Sequence, residues 1–198
     1  MKTVFNTVFL VLSLFAFAQN ELPKTPTDIK PLLVGEKISN QELYDSSGKL
    51  VSLEQLFAKQ KTILIFYRGG WCPYCNVHLS ALAEAESALL ELGYQIVAVS
   101  PDSPKNLRET SEKDKVNYLL LSDSKATLSK AVGVAFQAPE NYNKYLVKGS
   151  EGVNSTVIPV PTLLILNTKG EILFEHINPN YKERITTELV LAVAKALK

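Results

Sequence analysis

Both cysteines of the 198-residue chain, Cys72 and Cys75, stand two residues apart in the stretch FYRGGWCPYCNVHL. A Cys-x-x-Cys pair is typical of metal sites, short structural disulfides and dithiol redox centres. A structural zinc site needs four ligands, and besides the cysteines the chain has only His78 and His176 as imidazole ligands. A disulfide closing so short a loop constrains the unfolded chain little. The spacing therefore favours redox chemistry.

The pair lies where a predicted strand meets a predicted helix. The continuous apolar run of residues 61–67, KTILIFY, predicts a strand covered on both faces. Apolar residues at helical spacing predict a helix from Pro73 to Leu92, with Gly93 ending it. Cys72 is then the N-cap and Cys75 lies in the first turn. Because unpaired N–H groups and the helix dipole stabilise a thiolate there, we expect a lowered pKa for at least one cysteine.

The remaining pattern alternates strands and helices. A hairpin is predicted over residues 42–51, a helix capped by Ser52 follows, and a second hairpin spans 163–176. Further strands are predicted over 95–99 and 118–121, and further helices over 104–113, 125–131 and 185–197. This order predicts an α/β fold with a parallel-rich sheet, helices on both faces and an antiparallel hairpin at one edge. Residues 133–159 read as a long irregular segment, either an insertion near the active face or a flexible lid.

Pro161 precedes the apolar strand that opens at Thr162, in the stretch IPVPT. A proline there removes a donor from the strand ladder, so its position needs a reason. We predict a cis Val160–Pro161 bond close to the cysteine pair, although an edge proline in trans is the commoner arrangement.

The N-terminal residues differ in character from the rest. Lys2 precedes an apolar run that ends in Ala16-Phe17-Ala18, which predicts a signal peptide over residues 1–18. The alternative is a short membrane anchor, but the run is shorter than the ~20 apolar residues that a bilayer requires. We expect residues 19–32 to form a leader, residues 33–198 to form the domain, and the mature protein to be periplasmic or secreted, without stable membrane insertion.

Composition excludes several classes of function. The chain is 46% apolar and 21% charged, with a net charge of +1 and basic residues mixed with acidic ones. This pattern predicts a globular protein without a nucleic-acid partner. No glycine-rich phosphate loop follows a predicted strand, so we expect no nucleotide cofactor, and the dithiol chemistry requires no metal.

The motif in its context resembles the thioredoxin superfamily, and Cys-Pro-Tyr-Cys itself matches glutaredoxins. The wider resemblance, to peroxiredoxin-like proteins of the AhpC/TSA type, runs from about Leu33 to the C-terminus. It is carried by VGEKISNQELYDSSGKLVSL, IFYRGGWCPYC, AVSPDSP, LLSDS, PVPTLLILNTKGEI and INPNY. It implies a thioredoxin-like fold with a central mixed sheet, helices on both faces and peroxiredoxin-type additions.

The resemblance also implies an activity. Such proteins reduce hydroperoxides with a thiolate and are reset by a thioredoxin-like donor, without a cofactor. In the peroxiredoxin register Cys75 takes the peroxidatic position, Cys72 replaces the family threonine and Arg68 the family proline, while Val160 stands where the family arginine would be. We expect the peroxiredoxin register, in which Cys75 attacks the peroxide and Cys72 resolves the sulfenic acid as a disulfide, whereas in the thioredoxin register Cys72 attacks first. The alternatives are a thiol–disulfide reductase of exported proteins and a non-catalytic redox-sensing or binding module, and the oligomeric state stays open.

Five neighbours are candidate supporting residues: Arg68, Trp71, Pro73, Pro161 and Thr162. Arg68 supplies charge to a thiolate or is a solvated surface residue. Trp71 shields the pair or is an ordinary partly buried aromatic residue. His78, one turn after Cys75, is a possible proton relay or simply a surface or core histidine.

Overall fold

The computed structural model describes residues 21–197, so the predicted signal peptide of residues 1–18 lies outside the described residues. Within that range the strands are β1 (Glu42–Asp45), β2 (Leu50–Ser52), β3 (Lys61–Phe66), β4 (Tyr94–Ser100), β5 (Leu119–Ser122), β6 (Ala135–Gln137), β7 (Val157–Pro159), β8 (Thr162–Leu166) and β9 (Ile172–Ile177). The α-helices are α1 (Leu53–Lys59), α2 (Pro73–Glu91), α3 (Pro104–Asp114), α4 (Thr127–Ala131), α5 (Asn143–Gly149) and α6 (Thr187–Ala196).

Seven strands form one mixed sheet in the order β2-β1-β5-β4-β3-β8-β9. Only the central strands are parallel, because β4 pairs in parallel with both β3 and β5. The pairs β1–β2, β1–β5, β3–β8 and β8–β9 are antiparallel. The predicted mixed α/β architecture is confirmed, but the expectation of a parallel-rich sheet with one antiparallel edge was wrong. Both edges are antiparallel, because the first hairpin joins β5 as the second joins β3.

Strand β3 shows why its sequence is apolar without alternation. Ile63 and Ile65 point into a core shared with α2, α3 and α6. Leu64 and Phe66 point into a second core shared with α1 and α4. Since both faces of the strand are covered, every position of β3 after Lys61 is buried, as predicted. The strand that leads into the cysteine loop is thus fixed from both sides.

The helix boundaries follow their capping residues. The Ser52 side chain accepts a hydrogen bond from the Gln55 N–H and opens α1, as expected from the sequence. Gly93 follows α2 with a φ of +90°, a conformation that favours glycine. Helix α6 begins two residues later than predicted, because Thr186 is its N-cap.

The segment of residues 133–159 is not irregular, as the sequence had suggested. Strands β6 and β7 pair antiparallel, and a short 3-10 helix (Glu140–Tyr142) and α5 lie between them. Phe136, Leu146 and Ile158 form a small apolar core there, against which Trp71 packs. The segment is therefore an ordered insertion beside the cysteine loop. Its strands are three residues long, too short to give a clear alternating pattern in the sequence.

Residues 21–32, expected to be a leader, lie along the domain. The Gln137 N–H donates to the Pro23 carbonyl (2.7 Å) and the Leu32 N–H donates to the Val132 carbonyl (2.9 Å). Gly133 packs so closely on the Lys30 backbone that a side chain there would collide with it. In the described part of the chain, no helix combines the length and the apolar character that a membrane crossing requires.

Candidate active site

The cysteines occupy the predicted positions at the start of α2. Cys72 is the N-cap, Pro73 is the first helical residue and Cys75 lies in the first turn. The N–H groups of Cys75 and Asn76 donate to the Cys72 carbonyl at 3.0 and 3.1 Å. Both thiols are free, and each cysteine is only 1% exposed. The pair is thus a reduced dithiol at a helix N-terminus.

The loop before the pair is held by two glycines. Gly69 has a φ of +132°, and a Cβ there would lie 2.5 Å from Trp71 Nε1. The Gly70 N–H donates to the Asp102 carboxylate at 2.8 Å. Asp102 is buried, and this burial raises the pKa of its carboxyl group. The glycines therefore let the loop pack closely against Trp71 and Asp102.

Arg68 lies over the first sulfur. Its Nη1 donates to Cys72 Sγ at 3.8 Å, and only 4% of the residue is exposed. Its guanidinium carbon lies 4.0 Å from the ring centre of Tyr181, 4.4 Å from that of Tyr142 and 5.0 Å from that of Trp71. These distances are typical of cation–π contacts. The structure thus places Arg68 at the site rather than in solvent.

An aromatic cover, consisting of Trp71, Tyr142, Tyr145 and Tyr181, encloses this arginine. The Trp71 ring stacks on Tyr145 with centroids 5.0 Å apart, and Tyr142 lies 5.6 Å from it at an angle. Tyr142 meets Tyr181 edge to face at 6.5 Å. The tyrosines come from the insertion and from the segment before α6, so the chain brings three distant regions together here.

Arg184 lies at the second sulfur, and sequence reasoning missed it. Its Nη2 donates to Cys75 Sγ at 3.3 Å, while its Nη1 donates to the carbonyls of Tyr181 and Glu183, each at 2.6 Å. Val160, at the expected position of the family arginine, is buried in the core of the insertion. The guanidinium therefore comes from a different element, 109 residues from Cys75, and no local sequence signal indicates that contact.

These surroundings shift the pKa values of the two thiols in opposite directions. The pKa of Cys72 falls to about 6, mainly because the Cys75 side chain hydrogen-bonds to its sulfur, with further lowering by the charges of Arg68 and Arg184. The pKa of Cys75 rises, first because of burial and then because of the hydrogen bond and charge of Cys72. At neutral pH the thiolate is therefore on Cys72.

The prediction of a cis Val160–Pro161 bond was wrong, because no peptide bond among the described residues is cis. The Thr162 hydroxyl donates to the Val160 carbonyl at 2.9 Å, and the Pro161 carbonyl accepts from the Asn178 N–H at 3.2 Å. Backbone and side chain thus stabilise the turn in the commoner trans form. Pro161 and Thr162 line a small cavity together with Arg184, which connects them to Cys75.

His78 lines the same cavity and is 8% exposed. Burial, followed by the charge of Arg184 and the neighbouring His176, lowers its pKa to about 4. The imidazole is therefore neutral at pH 7. A neutral imidazole carries one N–H donor and one acceptor nitrogen. The role of His78 as a proton relay therefore stays a prediction.

A thioredoxin-like fold with a free dithiol at a helix N-terminus defines a thiol-dependent oxidoreductase. Residues 34–174 match the AhpC/TSA family. A putative peroxiredoxin Bcp of Haemophilus influenzae is 33% identical over 106 residues, which cover 54% of this chain and 68% of that protein. Peroxiredoxin Bcp of Escherichia coli is 29% identical over the same length, covering 54% and 67%.

The fold also matches a solved structure, that of peroxidoxin BcpB from Mycobacterium tuberculosis, with a TM-score of 0.67 and 19% identity over 83% of this chain and 97% of the other. The chain belongs to the AhpC/TSA family and is a peroxiredoxin-like member of the thioredoxin superfamily. It is accordingly an enzyme of the thiol peroxidase class.

Proposed function

We propose that this enzyme reduces hydrogen peroxide or organic hydroperoxides through the Cys72–Cys75 pair and is reset by a thioredoxin-like donor. The observation that carries the proposal is a reduced dithiol in which each sulfur has its own guanidinium, Arg68 Nη1 at 3.8 Å and Arg184 Nη2 at 3.3 Å. Cations beside the sulfurs favour thiolates, which are the reactive species toward a peroxide. The names of the curated relatives support the substrate class.

The electrostatics support Cys72 as the first nucleophile. Its thiolate attacks one peroxide oxygen, the O–O bond breaks, and the other oxygen leaves as an alcohol or water after gaining a proton. The Cys75 sulfur then attacks the sulfenic acid, which forms the disulfide and releases water. The family register predicts the opposite order, with Cys75 first, and the lowered pKa of Cys72 argues against it.

A second candidate is the thiol–disulfide reductase, which the same observation supports. A low-pKa first cysteine at a helix N-cap is the arrangement that attacks disulfides. Both reactions use the same residues and differ in the substrate that reaches Cys72.

Two assays on the reduced protein separate these candidates. In one, hydrogen peroxide or cumene hydroperoxide is supplied with thioredoxin, thioredoxin reductase and NADPH, and in the other insulin reduction is followed. Cys72→Ser and Cys75→Ser are compared, with dimedone as the label for a sulfenic acid. For the proposed order we expect Cys75→Ser to form one sulfenic acid on Cys72, and Cys72→Ser to lose peroxide reduction.

Three other results would contradict the proposed order of attack or the proposed function. A sulfenic acid that forms only on Cys75 supports the family register. Insulin reduction without peroxide consumption supports the reductase, and peroxide reduction that neither substitution changes contradicts any role of the pair.

We also propose that the enzyme acts outside the cytoplasm. The support is the predicted signal peptide of residues 1–18, which lies outside the described residues.

A further inference from the structure

The two arginines also bear on the direction of electron flow at the pair. Within residues 21–197, no carboxylate lies at ion-pair distance from Arg68 or Arg184. The Cys72 thiolate is thus the anionic partner available to Arg68, which is almost completely buried, and the thiolate charge also interacts with that of Arg184. A thiolate satisfies such a cation, whereas a disulfide carries no charge and leaves it without an anion.

This asymmetry stabilises the reduced pair relative to the disulfide. A disulfide whose reduced form is stabilised in this way is a strong oxidant, since it gains most when it accepts electrons. With the Cys72 pKa at about 6, the reduced form at pH 7 gains about tenfold over a dithiol of ordinary pKa. The hydrogen bond from Cys75, together with the charges of Arg68 and Arg184, therefore favours transfer of the disulfide to other dithiols.

A groove beside the pair offers a binding surface for such dithiols. It has a volume of about 500 Å³, and Tyr74, Val77, Ala81 and Ile185 contribute to its lining. Tyr74 is 43% and Val77 72% exposed, which is high for such side chains. Arg184 lines the same groove and contacts Cys75, so an apolar segment bound there lies next to the site. Lys182 and Glu188 also line the groove, so it combines exposed apolar side chains with charges of both signs. Grouped exposed apolar side chains mark a surface that binds another polypeptide, which a small thiol does not need.

We propose that the oxidised Cys72–Cys75 pair passes its disulfide to cysteine pairs in unfolded polypeptides, so that the peroxidase cycle drives disulfide formation in client proteins. This inference rests on the proposed peroxidase function for its supply of oxidant. A client must pass the aromatic cover to reach Cys72, but a thioredoxin-like donor meets the same barrier.

Transfer of the disulfide to a client takes two thiol–disulfide exchange steps. A client thiolate attacks Cys72 Sγ, the S–S bond breaks, and Cys75 leaves as a thiolate beside Arg184. The second client thiolate attacks the client sulfur of this mixed disulfide, and Cys72 leaves as a thiolate beside Arg68. The client loses two electrons, and one hydroperoxide then reoxidises the pair. The sum is one hydroperoxide and one client dithiol giving an alcohol or water, a further water and a client disulfide.

The test begins with enzyme oxidised by diamide, so that it does not depend on peroxide. This enzyme is first equilibrated with thioredoxin, and the reduced and oxidised forms of both are separated after acid quenching. We expect about a fivefold preference for reduced enzyme and oxidised thioredoxin, because the thioredoxin cysteine itself has a lowered pKa of about 7. A preference below twofold overturns the proposal.

Arginine variants then test the stated cause. Arg68→Met and Arg184→Met should each shift the equilibrium about two- to threefold toward the enzyme disulfide, while Arg108→Met on the exposed face of α3 should not. Because Arg68 is buried and its replacement can prevent folding, Arg184→Met serves as the independent second variant. Shifts under twofold in every folded arginine variant overturn the role of the cations.

Disulfide transfer is measured with a flexible two-cysteine peptide carrying leucines and a matched peptide carrying serines. We expect the leucine peptide to be oxidised at least fivefold faster, and Val77→Ser to remove that preference while leaving reduction by dithiothreitol unchanged. Equal rates for the two peptides, or no transfer, overturn the proposal. Transfer by diamide-oxidised enzyme together with no reoxidation by peroxide would instead overturn the proposed peroxidase function alone.

Discussion

At the scale of single residues, the site is defined by which sulfur holds the negative charge. Since the pKa of Cys72 is lowered to about 6, its thiol is protonated below that pH and ionised above it. We expect the thiolate absorbance near 240 nm of the reduced protein to rise by one thiolate with a midpoint near pH 6. The second thiolate should appear only at strongly alkaline pH, because the pKa of Cys75 is raised.

The rate constant for peroxide should follow the same ionisation. It should be nearly constant from pH 7 to 8 and fall about tenfold per pH unit below the pKa. Stopped-flow measurement under single-turnover conditions tests this profile. A single absorbance step above pH 8, accompanied by a rate that rises through it, would contradict the assignment of the thiolate to Cys72.

Arg68 provides the second prediction at this scale. Replacing it by methionine keeps an unbranched apolar stem but removes the guanidinium charge beside Cys72, so peroxide reduction should slow about 10²-fold, as for loss of one preorganised donor. Arg68→Lys should restore part of the rate, since an ammonium keeps the charge but not the planar stacking. Arg108→Met is the matched control, and an equal loss in that variant would indicate a general effect on the fold.

At the scale of elements, the loop between β3 and α2 depends on close packing at Gly69. An alanine there combines a φ of +132° with a Cβ 2.5 Å from Trp71 Nε1. We expect Gly69→Ala to destabilise the fold by about 1–3 kcal/mol and to reduce the rate with peroxide. Gly48→Ala is the control, because Gly48 also has positive φ (+84°) but nothing within 4 Å of its Cβ position. Urea unfolding distinguishes them, and equal losses of stability would show that only backbone strain matters.

The insertion controls access to Cys72 in our interpretation. Tyr142 belongs to the 3-10 helix of the insertion. The centre of its ring lies 4.4 Å from the guanidinium carbon of Arg68. Removing the ring in Tyr142→Ala should open the aromatic cover and increase the rate of Cys72 alkylation by iodoacetamide at least threefold. Tyr44→Ala is the control and should leave the rate unchanged. Tyr44 is exposed on β1, which is separated from β3 in the sheet by β5 and β4. If the Tyr142 variant reacts no faster, the cover does not limit access.

At the scale of the whole molecule, we predict export. The apolar run that ends at Ala18 should direct cleavage before Gln19, and mature protein should be recovered from the periplasmic or extracellular fraction. N-terminal sequencing of each fraction checks this. Leu10→Arg should block processing, because it places a charge within the apolar run. Full-length wild-type protein that stays in the cytosol would contradict the prediction.

The sequence by itself determined the features that depend on neighbouring residues. The apolar run of β3, the proline after Cys72 and the glycine after α2 specify a strand, a helix start and a helix end through local rules, and all three lie where predicted. Together with the resemblance in the flanking segments, they were enough to predict the family and the dithiol site.

Only the tertiary structure decided what surrounds the sulfurs. Arg184 is 109 residues from Cys75, and Tyr142 and Tyr181 are also distant from the cysteines in sequence. No local sequence pattern therefore predicts their contacts with the site. The antiparallel placement of the first hairpin and the trans form of Pro161 likewise depend on packing between distant strands. The thiolate is on Cys72 rather than Cys75 because burial, hydrogen bonding and charge act through space, and the fold alone sets those distances.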